Sequence, residues 1–99
     1  MTAPYLVAYH FDGDPDDLRP RYDELMAGFP PEMTILHVCT TRADGVTVVD
    51  ACPSREVFED FSTGPDFAAA LQAAGLPTPR IEHLGDVHRA LMRPEVPAA

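Results

Sequence analysis

Four side chains able to do acid–base or metal chemistry, His37, Cys39, Asp50 and Cys52, flank the turn signal Asp44-Gly45, two on each side. Side chains on a strand alternate between faces. If Asp44-Gly45 forms a two-residue turn, Ala43 faces Val46, Cys39 pairs with Asp50, and His37 pairs with Cys52, so that all four groups share one face. A three-residue loop would break this register and disperse the cluster. Three chemistries are open to it. A histidine bonded to a carboxylate in an apolar cavity can be satisfied and inert. Alternatively, Asp50 can orient and charge-stabilise His37 as a base that takes a proton from an acidic carbon or a phenol, which makes these two the candidate catalytic residues. His, Cys, Asp and Cys are also competent zinc ligands, but the C-x-x-C or H-x-x-x-H spacing of common metal sites is missing, so no metal is assigned.

Further ligand-binding candidates are Tyr9, whose phenol can reach a ligand from a strand, together with Cys39, Cys52, His10, His83 and His88. Each has a plainer alternative. Tyr9 can be core with its hydroxyl at a rim, and His10 can be solvated at a strand end. His83 lies between Glu82 and Leu84 with either face open to it. Ser54 fits a helix cap rather than a nucleophile, and no phosphate loop is present. The acidic run from Asp12 to Asp17 lacks calcium-loop spacing.

The elements that must hold these residues follow from local chemistry. Tyr5 to Phe11 reads as a first strand, closed by Asp12-Gly13-Asp14-Pro15. Asp14 is placed to cap a helix, Pro15 suits its first turn, and Leu18, Tyr22, Leu25, Met26 and Phe29 recur on one helical face before Pro30-Pro31. Met33 to Thr40 and Val46 to Cys52 form the hairpin. Ser54 opens a second helix carrying Val57, Phe58 and Phe61; Gly64-Pro65 interrupts it, and Gly75 ends it in a left-handed conformation. A last strand runs from about Ile81 to Val87. Residues 1–92 thus make a single domain, with 93–99 a tail.

This β-α-β-β-α-β order predicts an α+β, ferredoxin-like fold: a four-stranded antiparallel sheet with two helices on one face. In strand one Tyr5, Val7 and Tyr9 alternate with Leu6 and Ala8, so both faces are apolar while only one is covered. Leu36, Val38, Thr47 and Val49 suit the helix side, which sends the His37 cluster to the bare face. An exposed apolar sheet exceeds what soluble monomers tolerate, and pairing with a second copy to enclose a pocket is the expected remedy.

Composition narrows the partners. The 99 residues carry 16 acidic and 7 basic side chains, a formal charge of −9 that disfavours nucleic acid and anionic membranes. Every basic residue is Arg; without a lysine amine, Schiff-base and pyridoxal chemistry are excluded. No run is long and apolar enough for a membrane span, and Met1-Thr2-Ala3-Pro4 lacks signal-peptide blocks, so the expected location is cytoplasmic. Two cysteines then read as free thiols.

The chain resembles small members of the dimeric α+β barrel superfamily, which includes antibiotic-biosynthesis monooxygenases, EthD-like proteins and polyketide cyclases. The likeness rests on His37-Val38, Asp44-Gly45, Val48-Val49-Asp50, Ser54 to Phe61, Ala70 to Pro77 and Val87-His88, and spans about Tyr5 to His88. One departure is Cys52, where such sequences usually carry Trp, a change expected to enlarge the pocket or alter what it binds. The resemblance implies a homodimer that binds an apolar aromatic or polyketide-like compound and works without a cofactor, as a monooxygenase, cyclase or isomerase. It places His88 near the dimer seam. The alternative it leaves open is a non-catalytic ligand-binding or accessory protein, with haem or a metal ion among its ligands.

Overall fold

A computed structural model describes residues 3–29 and 34–91. The elements are β1 (Tyr5–Asp12), α1 (Pro15–Ala27), β2 (Leu36–Arg42), β3 (Gly45–Cys52), α2 (Arg55–Thr63), α3 (Pro65–Ala74) and β4 (Arg80–Asp86). The strands form one open antiparallel sheet in the order β2-β3-β1-β4. This small α+β arrangement is compatible with a ferredoxin-like fold, with three helices where the sequence predicts two. Gly64-Pro65 is the reason: the predicted interruption separates α2 from α3, with Gly64 ending one and preceding the other. The expected strand residue Met33 and the proposed tail 93–99 lie outside the described residues.

The local signals act where the sequence puts them. Asp14 accepts from the Asp16 N–H at 2.9 Å and Ser54 from the Val57 N–H at 3.2 Å, each satisfying a donor that its helix leaves open. Gly75 sits at φ 74°, and the Leu76 N–H closes onto the Leu71 carbonyl at 2.9 Å.

The helices cover one face. Tyr5, Val7, Tyr9 and Phe11 of β1 and Val46 and Val48 of β3 pack against Leu18, Phe58, Phe67 and Leu71 in a single core. Phe58, Val7 and Val46 are fully buried, and at roughly 25 cal/mol per Å2 such side chains supply most of the drive to fold. α1 packs less deeply: Leu18 is its one buried residue among those described. Tyr22, Leu25 and Met26 line a space instead of filling it.

The hairpin register differs from the expected one. Arg42 pairs with Gly45, so the loop is Ala43-Asp44 and His37 stands opposite Asp50, with Cys39 opposite Val48. Gly45 is a strand residue. A Cβ there would come within 2.2 Å of the Phe11 carbonyl oxygen, so the glycine serves a close approach of β1 to β3 and not a turn. The shift changes every partner by two positions, which exchanges pairs yet keeps each side chain on its face.

On the uncovered face, cross-strand rows run Leu36–Ala51–Leu6 and Val38–Val49–Ala8. Beyond them lies a polar end. His10 bonds Thr47 Oγ1 at 3.0 Å and Glu82 at 2.9 Å, and Arg80 grips Asp12 with two bonds of 2.9 and 3.0 Å. Arg80 and Arg42 hold the Asp12 carboxyl below its usual range. At the edge, β4 bulges: Leu6 pairs with Gly85 and Val7 with His83, leaving Leu84 unopposed, with Gly85 at φ 120°.

Candidate functional site

His37 holds its place through two partners. Asp50, directly across the hairpin, lies in a short hydrogen bond with His37 Nδ1. An ionised carboxylate can only accept, so Nδ1 carries the proton. The other ring nitrogen, Nε2, accepts from the Tyr22 hydroxyl at 2.5 Å. Tyr22 reaches it from α1, and the two rings lie nearly parallel, 12° apart at a centroid distance of 5.8 Å. Asp50 is 7% exposed. A carboxylate, an imidazole and a phenol are thereby joined in series.

This series stands at the wall of a cavity of about 330 Å3 between the sheet and the helices, within the range of small-molecule sites. Phe11, Leu25, Met26, Val48 and Phe61 make it apolar, and among the described residues His37 is the one basic side chain in its lining. The cluster therefore occupies the face opposite to the expected one. The expectation relied on Leu36, Val38 and Val49 being the more apolar set. The aromatic and branched side chains of β1, in phase with Val46 and Val48, decide instead where the helices pack, and they carry Asp50 and His37 with them.

Burial pushes the Tyr22 phenol up to about 12, with the Cys39 thiol and Asp50 adding to the effect. Cys39 packs beside Tyr22 at the edge of the core, and burial, followed by the charge of Asp23, raises its pKa. Cys52 lines the cavity, raised by burial and then by Asp50. Both thiols are held neutral, which suits packing more than nucleophilic attack. Tyr9 also lines the cavity.

The remaining histidines lie elsewhere. His83, on the helix side of edge strand β4, bonds the Tyr5 hydroxyl at 2.7 Å and meets Phe58 edge-on at 5.3 Å. His10 belongs to the polar end of the open face. His88 follows β4 and is exposed. Sequence reasoning treated Tyr22 as core. The signal was there: a phenol on an otherwise apolar helical stripe must find a partner for its hydroxyl when it is buried. Among the described residues no group of three or more His, Cys, Asp or Glu is disposed to hold a metal ion. No protein-family model matches this chain, and no curated protein is detectably similar to it.

Proposed function

We propose that this chain binds a small apolar, aromatic or polyketide-like compound in the helix-side cavity and transfers protons on it without a cofactor, in the manner of a cyclase or isomerase. The observation that carries this reading is His37 bridging a buried carboxylate and a phenol at the wall of an apolar cavity. Tyr22, not His37, presents the reacting oxygen. As that oxygen takes a proton from an acidic carbon or hydroxyl of the compound, its own proton passes to His37 Nε2, and Asp50 stabilises the imidazolium formed. A phenol held at about 12 disfavours free phenolate, so both protons move together. The apolar walls exclude water and strengthen the charge interactions. Isomerisation and cyclisation need only such proton movements; a monooxygenase would add dioxygen as its oxidant.

We also assign the chain to the dimeric α+β barrel group, as a homodimer through its open sheet face. Val38 and Leu84 there are 42% and 47% exposed, an apolar surface that a second copy would bury. The described lining of the cavity lies on the helix side of the sheet, away from that face, which separates assembly from chemistry.

Deuterium exchange tests the relay. With benzoylacetone in deuterium oxide, followed by nuclear magnetic resonance, the protein should speed exchange at the activated carbon. Tyr22→Phe, which keeps the ring, and His37→Gln should each lower that acceleration by about a hundredfold or more. Variants as fast as the parent would remove the relay. A parent that binds benzoylacetone but exchanges it no faster than buffer would be a non-catalytic binding protein.

A further inference from the structure

Tyr9 is 2% exposed, and its hydroxyl oxygen is buried without a hydrogen-bond partner among the described residues. Such a group has lost its bonds to water with nothing in return, and native proteins seldom keep one without use. Its ring is fixed by Phe58 and Phe67, with centroids 6.2 and 5.7 Å away, so the hydroxyl cannot swing out to solvent. Burial, and then the nearby Asp50 carboxylate, hold it protonated far above the ordinary phenol range. The other donors of the relay are already spent: Tyr22 donates to His37, and His37 to Asp50.

Resting on the reading of this cavity as a ligand site, we infer that its ligand is an uncharged carbonyl compound and that the Tyr9 hydroxyl donates to the carbonyl oxygen. An anion is disfavoured, because a carboxylate lines the cavity and, among the described residues, no arginine does. A pure hydrocarbon would leave the hydroxyl orphaned. The carbonyl also completes the chemistry. When Tyr22 takes a proton from the carbon next to the carbonyl, the C–H electrons form the carbon–carbon double bond. The carbonyl π pair moves onto oxygen, and Tyr9 stabilises the resulting enolate. Where the ketone carries a β,γ double bond the enolate is conjugated with it, and return of the proton from the relay to the γ carbon completes an isomerisation to the α,β-unsaturated ketone, with no oxidant or reductant. The hydroxyl is closed off from water, so the ligand reaches it by parting lining side chains, a rearrangement common on binding.

Three probes of one shape test this by calorimetry: α-tetralone, tetralin and tetralin carboxylate. The parent should bind the ketone about twofold to tenfold more tightly than the hydrocarbon and the carboxylate most weakly. Tyr9→Phe should abolish the ketone's advantage and leave tetralin affinity unchanged. It should also move the bound carbonyl infrared stretch to higher frequency and, by removing an orphaned group, raise Tm by a few degrees. Equal affinity for ketone and hydrocarbon in the parent, or an unchanged stretch in Tyr9→Phe, would overturn the assignment of Tyr9. Tightest binding of the carboxylate would overturn the ligand class. Failure of all three probes to bind would overturn the cavity as a ligand site, and this inference with it.

Discussion

Each face of the sheet holds a histidine bonded to a carboxylate, and the two pairs differ in almost everything except residue type. His10 and Glu82 meet at 2.9 Å on the open face, where the Glu82 side chain is 58% exposed. His37 and Asp50 meet under the helices, where the Asp50 side chain is 9% exposed. Water screens the first pair and competes for its hydrogen bonds, so it contributes little. The second pair interacts through a poorer dielectric and has Tyr22 as a third member. Surroundings, more than the residues themselves, make one pair a surface contact and the other a candidate catalytic device.

The comparison can be broken at several points. The largest effect belongs to the open face. Val38→Arg places a charge in its apolar row and should convert the proposed dimer to a monomer in light scattering, with tetralone affinity in the cavity unchanged. A parent that is monomeric at high micromolar concentration would end the proposed assembly and leave the cavity standing. Next in size, Asp50→Ala orphans the Nδ1–H of His37 and should cost about 1–3 kcal/mol in urea unfolding, whereas Glu82→Ala should cost less than about 1 kcal/mol. Equal costs would mean that burial does not distinguish the two pairs.

The last effect is one of pH. The fold holds the Tyr22 proton more tightly than the unfolded chain does, so the associated stability is complete below the ordinary tyrosine pKa of about 10. It is lost as pH rises towards the folded value of about 12. Phenolate absorbance and urea midpoints across that window should move together in the parent. In Tyr22→Phe the alkaline loss should shrink.

What the sequence made legible was local. Asp14, Ser54, Gly64-Pro65 and Gly75 each act through their nearest neighbours, and each marks its boundary correctly. The partnership of His37 with Asp50 was legible, but their directly opposed register was not, because Asp44-Gly45 imitates a turn while Gly45 answers to Phe11, distant in the chain. The side of the sheet was hidden too. Strand alternation groups His37, Cys39, Asp50 and Cys52 on one face, yet nothing local says which face the helices take; the stripe of Tyr5, Val7, Tyr9 and Phe11 settles it through tertiary packing. The Tyr22 phenol announced a need for a partner, but which partner was hidden because α1 and β2 meet only in three dimensions.

The kink in β4 has a consequence for how copies of this chain can associate. A strand seeking to extend the sheet beyond β4 would find the row of backbone donors and acceptors thrown out of step at Leu84 and Gly85. It would also meet Arg80, Glu82 and Asp86 along the same border. Misaligned, charged borders discourage strand-by-strand growth at this edge, which leaves the flat of the sheet as the surface for the proposed dimer.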